Sequence, residues 1–251
     1  MKPIQRSFIF PASLVVACVI AFAGITTKAL ADDLIALDRS EWGGHPVKTR
    51  GVAANQYKPS GKIKYVSLHY TQSRARHPRH SEKTLLRFVQ EGHRDRHNFG
   101  DIAYHYLIGI SGTVYKGRDD GIAPATHTHY YGVRDLSRAK FGPEGRLLSS
   151  SVPKRGKPGQ TEGHLTVTFI LGYGEPDLFP PDAMAKAARL VAQLLVKYEL
   201  TPEAVRAHRE IAITACPGDA LYHWLRGPER RRDSEGVGMK MIRAEYRRLT
   251  E

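Results

Sequence analysis

"HLTVTFILGYGEPDLFPPDAMAKAARLVAQLLVKYEL", residues 164 to 200, joins a short apolar run to a longer segment of different period. Its opening, "HLTVTFILGY" (164–173), is dense in β-branched and aromatic side chains, the pattern of a central strand buried on both faces. In "PPDAMAKAARLVAQLLVKYEL", Met184, Ala187, Leu190, Val191, Leu194, Leu195 and Tyr198 recur at the spacing of one helical stripe. A buried strand followed by an amphipathic helix is the building unit of an α/β layer structure.

The flanking sequence extends that unit. "KIKYVSLHY" (62–70) alternates and predicts a strand ending at His69. "SEKTLLRFVQEGHRDRH" places Leu85, Phe88 and Val89 at helical spacing. "DIAYHYLIGISGTVYKGR" (101–118) predicts two strands joined by a tight turn at Ser111-Gly112, with Tyr104 and His105 on opposite faces. Thr201-Pro202 opens one more helical turn, and Pro217 sits where it can open a helix through "GDALYHWL". The expected fold is α/β: a mixed central β-sheet flanked by helices in a single domain, residues 32–225.

The ends read differently. Residues 1–31 have Lys2 and Arg6, an apolar run from Phe8 to about Ile25, and Ala29-Leu30-Ala31, the order of a secretory signal cleaved after Ala31. That makes the product exported, periplasmic or extracellular; the rival reading keeps the apolar run as a membrane anchor. Residues 226–251 form a charged C-terminal extension in which Met239, Ile242, Tyr246 and Leu249 predict an amphipathic helix, docked on the domain or lying on a membrane. Residues 131–160 hold five Gly, three Pro and four Ser, with seven Lys or Arg against two acids, and read as a long basic loop, functional or disordered.

Without the signal the chain carries 35 Lys and Arg against 25 Asp and Glu, a net charge of 35 − 25 = +10. Outside the cytoplasm such a charge favours anionic wall polymers or membrane surfaces over nucleic acid, although a basic surface also serves solubility. Cys18 leaves with the signal, so Cys216 has no disulfide partner. An unpaired cysteine is an inert buried hydrophobe, a reactive thiolate or a metal ligand. Hydrolytic zinc sites use three protein donors and leave a fourth position for water. His69 at a strand end, with His208 and Cys216 at the two ends of a short loop, offers two imidazoles and a thiolate. Twelve histidines make that spacing unspecific by itself. His77, His80, His93 and His97 lie in a basic stretch and read as surface, and His105 as a half-buried, hydrogen-bonded histidine.

Five segments in order give the set its meaning. "DRSEWGG", "YVSLHYT", "DIAYHYLIGISGTVYKGR", "ATHT" and "AHREIAITACPGDALY" resemble the zinc amidase superfamily that includes peptidoglycan recognition proteins and phage amidase-type lysozymes. The resemblance implies an amidase-type domain with Zn2+ held by His69, His208 and Cys216. It makes Tyr104 and Thr214 catalytic, and it places His127 and Thr128 at the substrate groove. The implied reaction is hydrolysis of the amide between N-acetylmuramic acid and L-alanine in peptidoglycan or muropeptides. Non-catalytic recognition proteins typically lack the cysteine, so Cys216 favours an enzyme. A peptidoglycan-binding module that keeps zinc with little turnover stands as one alternative. The other is a zinc peptidase or amide hydrolase of altered substrate. The chain also departs from the family pattern. "TEGHLTV" replaces the usual approach to the central strand, the catalytic glutamate of some bacterial relatives falls near Thr168, and "GRDDG" stands for "GRGW".

Overall fold

The computed structural model describes residues 36–52, 57–71, 80–126, 163–170, 179–212, 214–228 and 235–251. Residues 1–35, His127, Thr128 and the basic stretch 131–160 lie outside the described residues. The strands are β1 (Tyr65–Tyr70), β2 (Tyr106–Ile108), β3 (Val114–Lys116), β4 (His164–Phe169) and β5 (Val205–Ala207). They form one mixed sheet in the order β3-β2-β4-β1-β5. β1 pairs in parallel with both β4 and β5, β2 is parallel to β4, and β3 returns antiparallel to β2. Among the described residues six α-helices accompany it: α1 (Arg39–Trp42), α2 (Glu82–Glu91), α3 (Pro181–Lys197), α4 (His208–Ile211), α5 (Asp219–Arg226) and α6 (Val237–Thr250). The α/β class with a mixed central sheet is therefore the observed one.

Strand alternation sorts the side chains into two sets. Val66, Leu68, Leu165, Val167 and Phe169 join Met184, Ala187, Val191 and Leu195 of α3 in the main core. Ser67, His69, Thr166 and Thr168 occupy the opposite parity, equally buried but polar. α3 is buried beyond the single stripe of the sequence pattern, with Ala183, Ala188, Ala192 and Gln193 also enclosed. The reason is α6, which packs along α3 and α5 and inserts Met239 and Ile242 into the same core.

Three local expectations change. On α2 the buried residues are Leu86 and Gln90, while Phe88 is 43% exposed, so the inward face is turned from the one that Phe88 suggested. The second strand starts only at Tyr106. His105 N donates to the Thr166 hydroxyl (2.9 Å) instead of to a ladder carbonyl, and this ends the pairing. Pro217 does not open α5, which begins at Asp219. Gly218, at φ 88°, takes a left-handed conformation that an L side chain rarely adopts, and it separates the proline from the helix.

Asp120 ties the far edge of the sheet to α3. It accepts hydrogen bonds from Tyr106 Oη (2.8 Å) and Tyr198 Oη (2.6 Å) and pairs with Lys116. Burial alone would push its carboxyl up, but Lys116 and the two phenols outweigh that and hold it down at about 2, against 3.8 in an unfolded chain. A folded-state value below the unfolded one stabilises at pH above the unfolded pKa and is lost as pH falls through the folded one. Asp120→Asn should therefore cost about 2 kcal/mol near neutral pH. In urea unfolding curves the gap between variant and parent should close between about pH 4 and 2. A gap that persists unchanged at the acid end would exclude this role.

Candidate metal centre

Leu68 of β1 pairs with Ala207 of β5, so the next residue of each chain, His69 and His208, emerges at the same level. Their rings are 4.4 Å apart between centroids. On the other side of β1, His69 is the register partner of Thr168 on β4, whose buried hydroxyl has no hydrogen-bond partner among the described residues. Thr168, His69 and His208 thus form a row across three neighbouring strands.

Cys216 reaches the row through a closed loop. Arg209 N donates to the Cys216 carbonyl (2.9 Å), and the Arg209 guanidinium holds the Ala215 carbonyl and Asp219. The same guanidinium lies over the Tyr222 ring. Behind it, Arg226 of α5 grips Glu210 of α4 through two bonds, 2.6 and 2.9 Å, with both side chains buried. Cys216 Sγ accepts from Tyr70 N (3.4 Å) and lies 3.7 Å from His69 Nδ1.

The ligand atoms of His69, His208 and Cys216 all lie within 4.8 Å of one another. Zinc–sulfur and zinc–nitrogen bonds of about 2.3 and 2.1 Å at a tetrahedral angle separate sulfur from nitrogen by about 3.6 Å. The observed 3.7 Å fits such an edge. The protonation chemistry fits as well. Burial first, then His208, His164 and His105, lowers His69 well below its ordinary pKa, and burial with His164 takes His208 to about 3. Both imidazoles are neutral, as ligands must be. Burial pushes the Cys216 thiol up to about 12, with Tyr70 N and Arg209 pulling weakly the other way. A metal cation would favour the thiolate against that burial. α5 starts only at Asp219, three residues beyond the thiol.

Tyr104 precedes β2. Its ring centroid is 5.9 Å from that of His69, and its hydroxyl points at the Tyr70 carbonyl, 3.5 Å away. Burial above all raises its pKa far beyond the ordinary tyrosine value, so the phenol keeps its proton. Its carbonyl takes a bond from Arg118 N (2.7 Å) directly beside Gly117, where a Cβ would meet the Tyr104 oxygen at 2.4 Å. Only glycine allows that approach. Thr214 Oγ1 accepts from Cys216 N (3.1 Å), which leaves its own hydrogen for donation elsewhere.

His93 departs from the surface reading. Its Nδ1 accepts from Ala103 N (3.2 Å), and its ring meets Tyr104 edge-on at 5.4 Å. A π-helical turn, Gly92–Arg96, carries it there at the end of α2. Burial, then His97 and Arg118, brings its pKa to about 3. Nothing in the basic, histidine-rich spacing signals that turn. His105 is fully buried and bonded through Nε2 to the Ile122 carbonyl (2.8 Å) and through Nδ1 to Thr166. It is a strap between strands.

The sheet thus brings two histidines at adjoining strand ends together with a loop cysteine. Residues 59–219 match the N-acetylmuramoyl-L-alanine amidase family, and the chain belongs to it. It is 22% identical over 204 residues to peptidoglycan-recognition protein SC1a/b of Drosophila simulans, covering 81% of this chain and 90% of that protein. The endolysin of Enterobacteria phage T3 is 25% identical over 173 residues, covering 69% of this chain and 92% of the endolysin. Among solved structures, Drosophila peptidoglycan recognition protein SD shares the fold, with a TM-score of 0.51 and 22% identity over 74% of this chain and 89% of that one. Peptidoglycan recognition protein LE, solved in complex with tracheal cytotoxin, also aligns at 0.51, with 20% identity over 73% of this chain and 88% of its own.

The Glu210–Arg226 pair lies directly behind His208, so its loss should be severe. Glu210→Ala strands a buried guanidinium and should cost about 3–5 kcal/mol in urea unfolding of the metal-free protein. Glu245→Ala, which breaks only the exposed pair with Arg248, should cost less than about 1 kcal/mol. Equal costs for the two would show that the buried pair is no anchor.

Proposed function

We propose that the chain is a zinc-dependent hydrolase of the amide between N-acetylmuramic acid and L-alanine, acting on peptidoglycan or its fragments. The observation that carries this reading is the convergence of His69 Nδ1, His208 and Cys216 Sγ, with Tyr104 against the same imidazole. Family membership supports this reaction, and recognition-protein relatives, including one solved with tracheal cytotoxin, favour a muropeptide partner. When bound, zinc supplies a Lewis acid for the carbonyl and brings the pKa of its water toward about 7.

The chain's own groups supply orientation and hydrogen-bond donors. Tyr104, protonated and buried, offers its hydroxyl to the attacking water or to the developing oxyanion. The Thr214 hydroxyl is turned by Cys216 N so that its proton is available to the same oxygen. Beside His69, where some family members have a catalytic glutamate, this chain has the hydroxyl of Thr168, which does not act as a base at neutral pH. Export with cleavage after Ala31 belongs to the same reading, and intact mass of the exported protein should place its first residue at Asp32.

The purified protein should hold about one zinc per chain and lose turnover to chelators. Cys216→Ser should weaken metal retention and abolish turnover, because a neutral hydroxyl is a poor zinc donor. Tyr104→Phe should keep the metal and lower the rate by about 10²–10³, the usual loss for one oxyanion donor. Mass spectrometry of muropeptides, following release of free stem peptides, reads each effect. Full activity in a demonstrably metal-free sample ends the proposal.

A further inference from the structure

Ser67 stands two residues before His69 on β1 and shares its face of the sheet. It is fully buried, in a strand whose neighbours Val66 and Leu68 are apolar. A hydroxyl in that position is costly unless it is bonded, and it has two partners. Ser67 Oγ lies 3.0 Å from His69 Nε2 and 3.3 Å from the Leu165 carbonyl oxygen across the β1–β4 pair.

The two contacts together set the direction of each bond. A carbonyl only accepts, so the serine hydrogen goes to Leu165 and the hydroxyl oxygen is left to accept. The donor to it is then His69 Nε2–H. A neutral imidazole carries a single N–H, so Nδ1 keeps its lone pair. Nδ1 is the nitrogen that faces Cys216 Sγ at 3.7 Å. The geometry points to Ser67 as a positioning residue that holds His69 in its Nε2–H tautomer and aims the Nδ1 lone pair at the metal. The relay ends on a strand carbonyl, so the plane of the ring is referred to the sheet itself. In the other tautomer a proton would occupy the ligand position, and Ser67 would have to abandon Leu165 to donate to Nε2. This inference rests on the metal reading above.

The test has two readouts. In long-range proton–nitrogen spectra of the metal-free, ¹⁵N-histidine-labelled protein, His69 should carry its proton on Nε2; a proton on Nδ1 overturns the inference without any variant. Ser67→Ala should produce a mixture of tautomers at His69 and should weaken zinc, titrated against a competing chelator, by about 10–100-fold, the range for loss of an outer partner of a ligating histidine. Ser67→Thr, which keeps the hydroxyl, should restore both. If Ser67→Ala leaves either the tautomer or the zinc affinity at the parent value, Ser67 is packing only. A parent protein that binds zinc separates that failure from failure of the metal reading, because a parent that holds no zinc overturns both.

Discussion

β1 has parallel partners on both sides, and that double pairing is the constraint on which the site depends. A strand bonded along both edges cannot slip by one residue without turning every side chain to the wrong face. Val66 and Leu68 are committed to the apolar core beneath, so Ser67 and His69 are committed to the polar side. β5 then delivers His208 at the level of His69 with no search left to the loop. The two imidazoles are placed by the sheet itself, and the loop before α5 brings the thiol to them.

The polar side of the sheet is unusual in being buried. His69, His105, Thr166, Thr168 and His164 are all enclosed there, in a layer that water does not reach. Such groups are tolerable only when neutral or bonded, and burial keeps His105 and His164 neutral, each at about 4. Thr166 shows how the layer is knit. Its hydroxyl bonds to both the backbone and the ring of His105, a brace between β4 and the residue before β2.

Much of this was legible because residue type and spacing coincide with function. The strand at 164–169 and the helix at 181–197 follow from apolar periodicity, and His69, His208 and Cys216 stood out through motif resemblance. The structure brings those three together, with Tyr104 alongside. Features set by tertiary contact stayed hidden. Periodicity marks Leu85, Phe88 and Val89 equally, but only packing shows that Leu86 turns inward and Phe88 outward. His93 reaches Tyr104 through a π-helical turn that has no sequence signature. Ser67 has no sequence signature, since one of its partners, the Leu165 carbonyl, lies on another strand.

The place of α6 has a consequence for how the molecule is made. α3 carries apolar side chains on the side away from the sheet, and their cover is the last helix of the sequence. A ribosome adds roughly 5–20 residues per second, so α3 is complete seconds before α6 exists. During that interval its outer surface has no native partner. The domain closes only when nearly the whole chain has been synthesised, and a nascent chain held before that point is the form most open to chaperones and to other chains.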